Sequence, residues 1–101
     1  MQIQINTVTR DEGLIASTTS IIAEELRRFS RQITRVEVHF TDEDGKKDGI
    51  NDKRCMLEAR LAGMKPIAVS NHANTHSQAI IGAIDKLKAS LEKITGRLKD
   101  H

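Results

Sequence analysis

Six apolar residues near the C-terminus, Ile80, Ile84, Leu87, Leu91, Ile94 and Leu98, recur in steps of 4, 3, 4, 3 and 4. That spacing predicts a helix of about six turns with one apolar face. Ahead of it, Thr75-His76-Ser77-Gln78 reads as a capping box, the Thr75 hydroxyl accepting from the backbone N–H of Gln78. A strict 4,3 step also suits a coiled coil. Here it lasts less than three heptads, and strand-like segments precede it, so it is better read as a helix packed on a sheet.

The sheet is written in period-two segments. Ile3 and Ile5 alternate with polar residues over 2–6. Val36, Val38 and Phe40 share one face of 33–41, opposite Arg35, Glu37 and His39. Cys55, Leu57, Ala59 and Leu61 share one face of 53–62, and Ile67 and Val69 one face of 66–73. Each segment therefore reads as a strand with one apolar face. The last three are joined by a long polar loop (42–52) and by the turn Gly63-Met64-Lys65-Pro66, which predicts an antiparallel meander.

A second helix is expected between the first two strands. Thr9-Arg10-Asp11-Glu12 reads as its capping box, and it should run to about Arg31. Ile15, Thr18, Ile22, Leu26 and Phe29 fall within about 40° of one direction at ~100° per residue. The order is βαβββα. Two one-faced helices can cover the apolar face of a four-stranded sheet and leave the other face wet. The expected fold is α+β: a two-layer sandwich with both helices on one face, whose βββα part is like a double-stranded RNA-binding domain. A chain of 101 residues has room for one such domain, spanning residues 1–101.

Composition excludes several functions. Aromatic residues are 2% of the chain, Phe29 and Phe40 alone, so a base-stacking platform for single-stranded nucleic acid is not available. No apolar run is long enough to span a membrane. MQIQINTVTRDE has neither the apolar core nor the cleavage site of a signal peptide. One cysteine cannot close an internal disulfide, which fits a cytoplasmic protein.

Charge is more informative by position than by sum. The net charge is +2, yet 42–52 holds five acids (Asp42, Glu43, Asp44, Asp48, Asp52) against Lys46 and Lys47, or −3. The remainder is therefore +5. Residues 26–36 hold Arg27, Arg28, Arg31 and Arg35 with no acid among them. On the last helix, with Leu87 as zero, Lys86, Lys93 and Arg97 fall near −100°, −120° and −80° at ~100° per residue. They form one flank, spaced by about 10 Å and then 6 Å at ~1.5 Å per residue. Ala79 and Gly82 continue that flank and would let a partner come close. Lys88 and Lys99 lie on the opposite flank with Glu92. A row of cations at this spacing can track phosphates, and guanidinium groups grip them bidentately. Charged faces on surface helices are also ordinary, and pairs such as Glu24 with Arg28 stabilise a helix without any partner.

Other constellations are weaker. His72 and His76 are four apart, but the helix start falls between them, so they do not share a helical face and no metal site is expected. Cys55 alternates with buried-type residues and reads as core rather than nucleophile. Asp42-Glu43-Asp44-Gly45 hints at a calcium loop, but its twelfth position is Lys53 where a bidentate Glu is needed. No phosphate-cradling glycine motif is present. No enzyme and no cofactor are expected.

The strand MQIQIN, the stretch Leu26-Arg27-Arg28-Phe29-Ser30-Arg31-Gln32-Ile33, the strand Val36-Glu37-Val38 and the stretch Ala83-Ile84-Asp85-Lys86-Leu87 followed by Leu91, Lys93 and Arg97 together resemble the bacterial ribosome hibernation-promoting factors and ribosome-associated inhibitors. The resemblance covers nearly the whole chain. It implies a cytoplasmic translation inhibitor acting when growth slows, as in stationary phase or stress. Such a protein binds 16S rRNA of the small ribosomal subunit in the channel for mRNA and tRNA. It implies no small-molecule substrate, no membrane partner and a monomer away from the ribosome. The RNA-binding residues it implies are Arg27, Arg28, Arg31, Lys86, Lys93 and Arg97, with Lys88 and Lys99 added on composition rather than pattern. The chain departs from the family at Ala89 and Thr95, where many members carry bases. Its end at His101 suggests the short type. The alternative reading is a protein–protein module that uses the open sheet face, with His39, Arg54, Met56 and Arg60.

Overall fold

The structure, a computed structural model, describes residues 1–7, 10–42 and 53–99, with 97–99 as helix backbone. The strand β1 (Gln2–Asn6) leads into the helix α1 (Glu12–Glu25) and a 3-10 turn, Arg27–Phe29. Then follow β2 (Ile33–Asp42), β3 (Lys53–Leu61), β4 (Ile67–Ala73) and the helix α2 (His76–Lys99). The four strands form one sheet in the order β1-β2-β3-β4. This is the α+β architecture expected from the alternation of periods.

β2, β3 and β4 pair antiparallel, as the meander requires, with Val38 opposite Leu57 and Leu57 opposite Val69. β1 pairs parallel with β2, Ile3 opposite Val36 and Ile5 opposite Val38. A parallel pair needs a crossover of a dozen or more residues, and α1 is that crossover. One irregularity in the β2–β3 ladder falls between Ile33 and Arg35, where the Thr34 hydroxyl donates to the carbonyl of Arg60 at 3.1 Å. The hydroxyl thus occupies a backbone acceptor at the break in register.

The core lies between the sheet and the helices. Val36, Val38 and Phe40 of β2 and Cys55, Leu57, Ala59 and Leu61 of β3 meet Ile80, Ile84, Leu87 and Leu91 of α2, all buried. Ile22, Leu26 and Phe29 join them from the first helical segment. Gly63 takes φ of 72° in the β3–β4 turn, a left-handed conformation that a side chain would disfavour.

Two boundaries differ from the sequence reading. The N-cap of α1 is Asp11, whose carboxylate accepts from the N–H of Leu14 at 3.0 Å. Thr9 lies outside the described residues. The Glu12 carboxylate lies 2.7 Å from Arg10 Nε. A carboxylate is the stronger cap at the positive end of a helix. At the other end, α1 stops at Glu25 rather than Arg31. Residues 27–29 tighten into the 3-10 turn, which still buries Phe29 while turning the chain toward β2. The second cap is as expected: the Thr75 hydroxyl accepts from the N–H of Gln78 at 3.1 Å. Apart from Asp42 the acidic loop 42–52 lies outside the described residues.

Candidate nucleic-acid interface

Topology decides where the basic segments go. β4 is antiparallel to β3, which is antiparallel to β2, so β1, β2 and β4 all point the same way. Each helix follows one of these strands and packs back along the sheet. α1 and α2 therefore run parallel. Two contacts bear this out: Lys88 Nζ lies 3.2 Å from Glu25 Oε1, and Arg28 pairs with Glu92. Both C-terminal segments consequently reach the same end of the molecule. That end already carries the negative ends of two helix dipoles, which favour cations there.

The expected site residues divide by what they touch. Arg27 pairs with Glu24 at 3.2 Å and remains largely exposed. Arg28 is shared between Glu92 and the Phe29 ring, its guanidinium carbon 4.5 Å from the ring centroid. Lys88 is tied to Glu25 across the helix pair. Arg31 and Lys93 are exposed and make no ion pair or hydrogen bond among the described residues. Lys86 donates to the Ser70 carbonyl of β4 at 2.8 Å while staying exposed. Arg97 and Lys99 lie on the last turns of α2, and their side chains fall outside the described residues. The Arg27 and Arg28 pairs are solvent-exposed and the Lys88 pair partly so, and exposed pairs contribute ~0–1 kcal/mol. A phosphate oxygen can displace the carboxylate in each without a large loss.

Lys86 and Lys93 lie on the flank of α2 toward β4, while Lys88 and Glu92 face α1, as the helical wheel implied. The role expected of Ala79 and Gly82 is corrected. Ala79 is fully buried, and Gly82 is where α2 presses on Asn71 of β4. The close approach that these small residues allow is to the protein's own sheet. Residue spacing on one helix cannot distinguish a neighbour within the fold from a ligand.

One cation was not singled out from the sequence. Lys65 is exposed in the β3–β4 turn. The N–H of Ala62 donates to the carbonyl of Gln32 at 3.0 Å, which ties that turn to the residue after Arg31. Lys65 thus joins the basic end. Only the pairing of β2 with β3 brings it there, so no local signal could have found it.

The opposite face of the sheet is polar, and its two glutamates are paired with arginines. Glu37 and Glu58 stand directly opposite each other on β2 and β3. Arg60 lies 3.6 Å from Glu37 and 3.4 Å from Glu58, and Arg35 lies 3.3 Å from Glu37. His72 sits on β4 across from Arg54, whereas His76 opens α2 and lies 3.1 Å from Asp42. His76 also packs edge-on against Phe40, ring centroids 5.0 Å apart. Among the described residues no three potential metal ligands cluster. Cys55 is buried and its thiol is pushed up to about 12 by desolvation, so it is a core residue and not a nucleophile. No described helix is long and apolar enough to cross a membrane.

Comparison with known proteins agrees with the architecture. The family model described as sigma 54 modulation protein / S30EA ribosomal protein matches residues 2–99. No curated protein matches the chain by sequence. Among solved structures, a ribosomal subunit interface protein from Coxiella burnetii is similar, with TM-score 0.73 and 19% identity over 95% of this chain and 99% of that one. The N-terminal domain of Protein Y from Thermus thermophilus is also similar, with TM-score 0.67 and 18% identity over 93% of this chain and 99% of that one. At these identities the two structures share the fold.

Proposed function

The chain belongs to the sigma 54 modulation protein / S30EA ribosomal protein family, and on that premise we propose that it inactivates ribosomes by occlusion. Its family is one of ribosome modulation and not of catalysis. In this reading the protein acts in the cytoplasm as a ribosome hibernation factor. It lies on 16S rRNA of the small subunit, in the channel that mRNA and tRNA otherwise occupy. The Coxiella burnetii protein of the same fold is a ribosomal subunit interface protein, which agrees with that position.

The observation that supports this best is the parallel packing of α1 and α2. It gathers Arg27, Arg28 and Arg31 with the basic half of α2 at one end. Exposed Lys86 and Lys93, two helical turns apart, extend the basic surface along the β4 flank. The contacts are to phosphates and shape, which needs no aromatic platform. Each phosphate neutralised releases counterions, so binding should weaken steeply with salt. Lys86, Lys93 and Arg97 are the proposed phosphate row on α2, with Lys88 and Lys99 in support.

Sedimentation through sucrose gradients with purified small subunits, at low and moderate salt, tests the reading. Co-sedimentation that declines with salt is expected. The triple variant Lys86→Glu, Lys93→Glu, Arg97→Glu should stay at the top of the gradient while keeping its helical circular-dichroism spectrum. A folded triple variant that still co-sediments at moderate salt would overturn the site.

A further inference from the structure

The helix layer also carries a surface of the opposite character. Beside the basic end, α1 and α2 part to leave a groove of about 410 Å³. Its apolar lining is Ile21, Ile81 and Ile84. Ile81 is 52% exposed, the most exposed large apolar side chain described, whereas Ile84 is buried below it. Glu24, Glu25 and Asp85 form the rim. Asp85 is exposed and has no ion-pair partner among the described residues. Among the described residues, Glu24 and Glu25 are engaged only by the exposed Arg27 and the half-buried Lys88.

An isoleucine floor is a poor seat for a phosphate backbone, because it offers no donor. Asp85 at the rim repels a phosphate, and Arg27 and Lys88 there are already engaged by Glu24 and Glu25. The same surface suits a polypeptide that inserts an apolar side chain between flanking lysines or arginines. The apolar group covers Ile81, and the cations meet Asp85 and the two glutamates. We propose that this groove docks a basic protein segment, one with a leucine or aromatic side chain bracketed by Lys or Arg. The docking goes beyond RNA binding and does not depend on it. It gives the protein two faces in one layer: a basic end for phosphates, and beside it an acid-rimmed apolar slot for protein. Charge complementarity selects this occupant over a nucleic acid.

The test titrates the isotope-labelled full chain with three synthetic peptides and follows its amide and methyl signals. The peptides are Lys-Lys-Leu-Phe-Lys-Lys, Lys-Lys-Gly-Gly-Lys-Lys and Glu-Glu-Leu-Phe-Glu-Glu. The first should shift Ile21, Ile81 and Asp85 saturably, and the other two should bind at least tenfold more weakly. Ile81→Lys and Asp85→Lys, both surface changes, should each weaken the first peptide at least fivefold without moving the thermal midpoint. Equal binding of the glycine peptide would overturn the proposal, because charge alone would then suffice. So would unchanged affinity in folded Ile81→Lys, or a short RNA duplex that shifts the same isoleucines. Sedimentation equilibrium of the full chain covers the remaining occupant. A dimer dissolved by Ile81→Lys would assign the groove to a second copy and overturn it.

Discussion

Gly82 and Asn71 interlock where α2 crosses β4: a Cβ on Gly82 would stand 2.0 Å from Nδ2 and 2.6 Å from Cγ of Asn71. The Asn71 amide donates to the carbonyl of Ala79 at 3.3 Å, one turn earlier on the same helix. An alanine at 82 would therefore displace the whole amide group and break that bond. Helix propensity alone would make Gly82→Ala stabilising by about 1 kcal/mol. The lost bond (~0.5–1.5 kcal/mol) together with the overpacking of α2 against β4 (~1–3 kcal/mol) costs more. Gly82→Ala should thus lower stability in urea titrations. In the Asn71→Ala background the obstacle is gone, and the same change should raise it. The same sign in both backgrounds would refute the interlock.

Arg31 separates binding from stability. It is exposed and makes no ion pair or hydrogen bond among the described residues. Arg31→Ala should leave the unfolding free energy within about 0.5 kcal/mol of the parent. If Arg31 meets a phosphate, the slope of log K against log salt for small-subunit binding should fall by about 1. Filter binding across a salt series reads that slope. A variant with unchanged affinity and slope would remove Arg31 from the interface.

Thr18 is 1% exposed within the apolar stripe of α1, and its hydroxyl has no hydrogen-bond partner among the described residues. A buried hydroxyl in that state costs ~1–3 kcal/mol relative to an apolar group of the same shape. Threonine and valine have similar helix propensities. Thr18→Val is expected to stabilise the protein by about 1 kcal/mol, or ~4–8 °C in thermal midpoint for a domain of this size. Calorimetry that finds a lower midpoint would show that the hydroxyl has a partner.

Cys55 links stability to alkaline pH. Desolvation pushes its thiol up to about 12 from an ordinary value of 9.0, so the folded state holds the proton longer than the unfolded chain does. The folded state binds more protons above pH 9, and stability must fall as pH rises from there. The contribution is fully present below pH 9 and is lost between 9 and about 12. The slope is at most about 1.4 kcal/mol per pH unit. Cys55→Val should flatten the alkaline limb of a urea stability profile. The native thiol should also react with a thiol reagent at pH 8 only at the rate at which the protein opens. Rapid reaction of the folded protein would contradict the burial.

The resemblance drawn from Leu26–Ile33 and Ala83–Leu87 agrees with the family that the chain belongs to. The local periods also placed β1, the meander and α2 to within a residue or so of their ends. Periodicity was less informative where capping choices compete. Both Thr9 and Asp11 can cap a helix, and the carboxylate at Asp11 is the cap that forms. The end of α1 is not legible in the sequence, because Phe29 continues the apolar stripe by spacing. It does so through a 3-10 turn, which the stripe alone cannot distinguish from an α-turn.

The sequence by itself determined which residues are apolar on which face, and hence two layers with a wet sheet surface. It also determined that the cations concentrate at the ends of two helices. A helix or strand reports its own faces because side-chain direction repeats with the backbone. It does not report which way its neighbour runs. The parallel β1–β2 pair and the β3 reversal decide that α1 and α2 point the same way, and so merge two basic segments into one end. The same packing presses Gly82 on Asn71, brings Lys65 beside the end of α1, and opens the acid-rimmed groove at Ile81. Each of these joins residues far apart in the chain. The energies that place them belong to burial between layers, which no single segment encodes.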